Sequence, residues 1–391
     1  MFEVERHFSP RFRPWDPVEA RAAIEEIAAD TLGALDVRAF WPAHPLDDVE
    51  DGNGTVYFGA AGVIWALDRL CRVGAIDRDR DLAALMPAVL EQNAAWYAQT
   101  MYPDHGSLLM GDLGVRLVEM RLAPGSALAD RLHERAASNS RLATVELMWG
   151  LPGSMLACLH MHALVGEDRF EELFRAQAAR LLAELEATDE GPIWTQQLYG
   201  QQRRWLGPVH GFAGHMVPLL RGWNWLEPDQ RTVVADAAQR VLARHAVRSD
   251  LGATWPPTTD RPPTLCQHCH GAPGMVTVLA DARFSSPEFE ALLRAGGELT
   301  WNAGPLVKGS NLCHGTSGNG YAFLKLHRRT GDPRWLERAR AFAMASIDQV
   351  GDARATYGRG RYSLWTGDPG VAIYLWDCIT AEPAFPTIDI F

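Results

Sequence analysis

Seven times the chain repeats Gly-x-x-Gly followed by an apolar stretch, and no other feature restricts its fold so strongly. The pairs are Gly59/Gly62, Gly111/Gly114, Gly150/Gly153, Gly211/Gly214, Gly271/Gly274, Gly315/Gly318 and Gly367/Gly370. Their first glycines are 52, 39, 61, 60, 44 and 52 residues apart, a spacing that fits one small structural unit per repeat. Between the pairs lie segments such as "PVEARAAIEEIAADTLGAL", "FEELFRAQAARLLAELE" and "PRWLERARAFAMASIDQV". Apolar residues recur there at three- and four-residue steps, which predicts helices with one face in solvent. The stretches after each pair are shorter and apolar nearly all round, so they are expected to be buried helices. Glycines at the start of such a helix allow a sharp turn and close backbone approach.

The expected fold is therefore all-α: seven hairpins, each an outer amphipathic helix, a glycine turn and an inner buried helix. Closed in a ring they make an α/α toroid, with the inner helices as a barrel. An open solenoid of the same hairpins would carry the same repeat. Residues 1–391 read as one domain, because no linker interrupts the pattern. The loop "TWPPTTDRPPTLC", 254–266, is expected to cross one end of the ring.

Composition narrows the function. The net charge is −11 and no basic stripe is visible, which argues against nucleic-acid partners. No run of about 18 apolar residues predicts a transmembrane segment. The opening "MFEVERHFSPRFRPW" lacks the apolar core of a signal peptide, so a cytoplasmic location is expected. Six cysteines are too few for a disulfide scaffold at this length. Cys71, Cys158 and Cys378 fall in apolar helical stretches and read as core residues.

In a pseudosymmetric ring, equivalent positions of the repeats face the same end of the axis. The residue before each first glycine runs Phe58, Met110, Trp149, His210, His270, His314, Thr366. One position earlier runs Tyr57, Leu109, Met148, Val209, Cys269, Cys313, Trp365. Three histidines and two cysteines thus share equivalent slots in three consecutive repeats. Thiolate and imidazole are preferred zinc ligands, and a catalytic site needs three protein ligands with one position open. Cys269, Cys313 and one adjacent histidine would supply them. Two other readings remain: polar residues lining a wet cavity, or a redox pair formed by Cys266 and Cys269. Trp149 and Trp365 hold slots from which they would shape the pocket.

With these residues in view, the chain resembles the lanthionine synthetase C-like (LanC-like) family over nearly its whole length. The most specific stretches are "HCHGAPG" and "NLCHGTSGNGYAFL". The resemblance implies an α/α toroid in which Cys269, Cys313 and His314 hold one catalytic zinc. It also implies that His210 is the acid/base residue. The chain looks nearer the stand-alone LanC-like proteins than the nisin-type cyclases. Glu146 stands where the cyclases carry an aspartate, and Lys308 precedes the second cysteine as in the stand-alone members. "RHFSP" is similar to their Arg-x-Phe signature and points to Arg6. Leu265 and His270 depart from the cyclase pattern, where an arginine and a tyrosine stand.

The implied reaction is addition of a thiol, from glutathione or a peptide cysteine, to dehydroalanine or dehydrobutyrine in a peptide. His210 would protonate the α-carbon, with His270 as the second candidate and Glu146 orienting His210 or the substrate. Lys308 and Arg6 would hold an anionic group such as a glutathione carboxylate or a phosphate. A peptide or protein substrate is the implied partner, with a separate dehydratase as its source of dehydroamino acids. The rival within this fold is a non-catalytic protein that binds zinc and glutathione or peptide. A glycosidase would need paired carboxylates in the cavity slots, and none stands there.

Overall fold

The computed structural model describes residues 1–47, 52–77 and 81–391. Fourteen α-helices dominate the described residues: α1 (Pro17–Gly33), α2 (Ala60–Arg72), α3 (Met86–Tyr97), α4 (Asp112–Leu122), α5 (Ser126–Ser138), α6 (Leu151–Val165) and α7 (Asp168–Ala183). Then follow α8 (Phe212–Arg221), α9 (Pro228–His245), α10 (Ala272–Leu279), α11 (Pro287–Ala303), α12 (Thr316–Thr330), α13 (Pro333–Tyr357) and α14 (Asp368–Thr380). Three small antiparallel hairpins sit in the connections: β1 (Glu186–Thr188) with β2 (Gly191–Ile193), β3 (Gln196–Leu198) with β4 (Gln201–Arg203), and β5 (Val247–Ser249) with β6 (Gly252–Thr254).

Odd-numbered helices form the outer layer and even-numbered ones the inner barrel. Outer α7 buries Phe170, Phe174, Gln177, Ala178 and Leu181, a single stripe at helical spacing. Inner α12 buries every residue from Thr316 to Leu326. The two layers also start differently. Asp16, Ser286 and Asp332 cap outer helices α1, α11 and α13 with side-chain oxygens, each followed by proline in the first turn. Every inner helix instead begins just after the first glycine of a repeat, with no side-chain cap.

In most repeats the loop before the glycine pair supplies the missing acceptors. Thr316, Ser317 and Gly318 donate their N–H groups to the carbonyls of Gly309, Ser310 and Asn311. Phe212, Ala213 and Gly214 do the same to Trp205, Leu206 and Gly207. The loop is thereby laid across the first turn of the helix. At all seven second glycines, a Cβ would run into the carbonyl oxygen six residues earlier, as Gly318 would into that of Leu312. Gly318→Ala is expected to destabilise by about 3 kcal/mol, the upper range for overpacking. Alanine in an unobstructed helix would stabilise instead, so the sign of the shift in the denaturation midpoint checks the arrangement.

Ring closure rests on two observations. Each inner helix packs on the next, and α14 packs on α2, while outer α1 covers α14. The residues two before the first glycines are also joined by backbone hydrogen bonds from repeat to repeat. Cys269 N–H donates to Cys313 O at 3.0 Å, Cys313 N–H to Trp365 O at 2.9 Å, Trp365 N–H to Tyr57 O at 3.0 Å, and Tyr57 N–H to Leu109 O at 2.9 Å. This belt runs across the point where the repeats meet end to beginning, so the ring is closed and the open solenoid is ruled out.

Residues 382–391 fold into the barrel axis below the belt. Phe385 stacks on His268 at 4.5 Å, and Thr387 accepts a hydrogen bond from Trp365 Nε1. Asp389 meets Lys325 at 2.6 Å and Arg221 at 3.3 Å, while the Phe391 carbonyl accepts from Arg121. Lys325 is almost wholly buried, and its second partner is Asp281. A buried ammonium is tolerable only because carboxylates surround it. The segment acts as a plug that shuts the barrel at the end away from the glycine turns.

Candidate metal centre

The fifth and sixth glycine turns place the two cysteines side by side. Gln267 and His270 exchange backbone hydrogen bonds of 3.0 Å, making a tight turn with Cys269 in its bend. Gly271 follows at φ +112, a left-handed conformation in which a side chain would meet the Leu265 carbonyl. In the next turn the Asn311 side chain accepts the His314 N–H at 3.0 Å and fixes the Cys313–His314 pair at the start of α12. The belt bond between Cys269 and Cys313 then sets the two turns together.

As a result the ligand atoms of Cys269, Cys313 and His314 all lie within 4.8 Å of one another. Both cysteines are buried and His314 is half-buried. Tetrahedral zinc, with Zn–S near 2.3 Å, needs donor atoms roughly 3.5–4 Å apart, so the set fits the ion with little movement. Two thiols and an imidazole are also the donors that zinc prefers. Electrostatics point the same way. A hydrogen bond from Cys313 pulls the Cys269 thiol well below its usual range, with His270 and His314 helping. The same bond and burial push Cys313 up. The two thiols therefore titrate as one coupled pair.

Cys266 stays outside the group. Burial pushes its thiol up to about 12, and its hydrogen-bond partner is Thr300. The cluster joins Cys269 to Cys313 instead, across repeats.

His210 stands in the fourth turn with Nδ1 2.7 Å from a Glu146 carboxylate oxygen. Glu146 is fully buried and also accepts the N–H groups of Met148, at 3.1 Å, and Trp149. With Nδ1–H given to Glu146, the ring nitrogen of His210 left free is Nε2. His270 lies within electrostatic reach of both Cys269 and His210, and burial lowers its pKa. Its Nδ1 is buried without a hydrogen-bond partner. Trp205 packs near both histidines, at 6.5 Å from His210 and 6.0 Å from His270.

Both cations are at the surface. Lys308 is exposed, and its charge acts on Cys313. Arg6 is brought beside it, since the Arg6 carbonyl accepts the Val307 N–H at 2.9 Å. Glu3 pairs with the Arg6 guanidinium, so this cation is partly neutralised. Trp149 is buried beside Glu146. Trp365 differs from expectation: it is fully buried between belt and plug, too deep to line the mouth.

Tyr199 has no place in the repeat logic, yet it stands over His210. It occupies the tip of the β3–β4 hairpin with φ +52 and is followed by Gly200 at φ +70. Such a turn normally carries Asn or Gly at its first position. Tyr199 is held there by Tyr102, whose hydroxyl accepts its N–H at 2.8 Å, and by Trp149, whose Nε1–H donates to its hydroxyl at 3.0 Å. Its ring meets His210 edge-on at 5.6 Å. The "LYGQ" stretch between two polar runs was the available signal.

A family model described as "Lanthionine synthetase C-like protein" matches residues 50–390. The chain belongs to the LanC-like family. It is 26% identical over 266 residues to "Glutathione S-transferase LANCL1" of Danio rerio, covering 63% of this chain and 62% of that one. It is 29% identical over 257 residues to "LanC-like protein GCL1" of Arabidopsis thaliana, covering 63% and 58%. These matches span about three fifths of each relative's length. Among solved structures, "Nisin cyclase" aligns with 93% of this LanC-like chain and 97% of its own at a TM-score of 0.55 and 13% identity. That likeness bears on the toroid alone. Among the described residues, no helix is long and apolar enough to cross a membrane.

Proposed function

We propose that this LanC-like protein is a zinc-dependent enzyme that forms thioethers. It adds the thiol of glutathione or of a peptide cysteine to a dehydroalanine or dehydrobutyrine in a peptide. The observation that carries this reading is the Cys269–Cys313–His314 group with the His210–Glu146 pair at the adjoining turns. A relative named for glutathione transfer supports glutathione as donor. Zinc held by the three ligands would supply a Lewis acid with one open position, which makes an entering thiol acidic.

The chain's own residues do the rest. His210 Nε2 takes the thiol proton, and the sulfur bonds to the β-carbon of the dehydroamino acid. The double-bond pair moves to the α-carbon side, and His210 returns the proton to the α-carbon. The addition is therefore proton-neutral. Glu146, acceptor for His210 Nδ1–H, favours the cationic imidazole halfway through the cycle. Lys308, with Arg6 beside it, offers a carboxylate of glutathione an electrostatic hold at the surface. A dehydratase acting on the same peptide supplies the acceptor, in a reducing compartment such as the cytoplasm.

The test is mass spectrometry of a dehydroalanine peptide incubated with glutathione and the zinc-loaded chain. A glutathione adduct formed far above the uncatalysed rate is expected. An adduct yield at the uncatalysed level, with glutathione and zinc both bound, would replace catalysis by a binding role. A parallel peptide carrying its own cysteine separates the two thiol donors.

A further inference from the structure

The two sulfurs of the centre are each met by a donor from outside the ligand set. Gln267 Nε2 lies 2.9 Å from Cys269 Sγ, in a buried position. The turn's own backbone groups on Gln267 are already paired with His270, so its side chain is left for the sulfur. On the other side, the belt sets the buried Tyr57 so that its hydroxyl interacts with the Cys313 thiol. Tyr57 comes from the first repeat, whereas the ligands come from the fifth and sixth. It is fixed by belt bonds to Trp365 and Leu109 and by stacking on the Trp365 ring at 5.5 Å.

We propose that Gln267 and Tyr57 are positioning residues of the metal centre, each giving one hydrogen bond to one thiolate. The proposal rests on the zinc reading above and deepens it. A buried thiolate keeps lone pairs that the metal does not use, and leaving them without donors is costly. An N–H or O–H directed at sulfur also draws electron density from it. The ion then receives less charge from its ligands, and a thiol entering the open position becomes more acidic. Outer partners of this kind orient ligands and tune the metal. They do so here from two separate repeats, so both sulfurs are served without enlarging either turn.

Gln267→Met and Tyr57→Phe remove the donors while keeping similar volume. Each is expected to raise the zinc dissociation constant about tenfold, the low end for outer partners. With Co(II) in place of zinc, each is expected to move the sulfur-to-cobalt charge-transfer band to longer wavelength, because the sulfurs become more electron-rich. A purely structural role would not move that band. Tyr57→Phe keeps the belt bonds and the stacking, so it carries the test even where Gln267→Met fails to fold. A Tyr57→Phe chain with wild-type zinc affinity and an unshifted band overturns the inference and leaves the zinc reading standing. A wild-type chain that takes up neither ion overturns the zinc reading, and the inference falls with it.

Discussion

Cys313→Ala is expected to empty the metal centre and to bring thioether formation down to the uncatalysed rate. The proposed centre has three protein ligands, and removing one would leave two donors for an ion that needs three to stay bound with a position open. The loss should exceed the roughly 10–100-fold typical when only an outer partner is removed. The variant separates metal loss from unfolding, because Cys313 joins the belt through backbone groups that alanine keeps. Elemental analysis after dialysis, read beside a helical circular dichroism spectrum, measures both. A folded Cys313→Ala chain with one zinc per molecule would end the ligand assignment.

His210→Asn carries the second large effect. It is expected to slow thioether formation by about 100- to 10,000-fold, the range for a general acid/base, while zinc content stays at the wild-type value. Glu146→Gln is expected to fall between wild type and His210→Asn. A glutamine keeps the shape, but it has a single acceptor oxygen for the N–H groups of Met148, Trp149 and His210 and carries no charge to balance the imidazolium. Rates from single-turnover mass spectrometry, with metal content measured on the same samples, decide the matter. Unchanged rates in His210→Asn would move the proton transfer to another group, with His270, within electrostatic reach of Cys269 and His210, the next candidate.

The ring was legible because its seven turns obey one local rule. Each second glycine faces a carbonyl six residues back, and that requirement is written into the sequence wherever the turn occurs. The slot residues followed from the same register, which is why the two cysteines and three histidines could be aligned before any geometry was known. Closure was not legible, since a solenoid and a ring share every local contact. It is decided by one long-range bond, Trp365 to Tyr57, and by α14 packing on α2. The plug was hidden for a related reason. "EPAFPTIDIF" has no helical or strand period, and its partners Lys325, Arg221 and Arg121 come from three different inner helices. Arg6 shows the limit of reading a cation from its type. Glu3, three residues earlier, pairs with it and offsets part of its charge. Tyr199 and Gln267 were missed because their importance lies in where a hairpin tip and a turn carry them.

The bond from Trp365 to Tyr57 joins residues 308 positions apart in the chain. Helical hairpins are made of local contacts and form fast, whereas so distant a pairing comes late. The entropy of closing a long loop grows only with the logarithm of its length, so the delay is one of search more than of stability. Until that pairing forms, Tyr57 is not opposite Cys313. The expected consequence is that the Cys269–Cys313–His314 group reaches its final shape only when the ring closes, and zinc uptake followed in a refolding experiment should coincide with that closure.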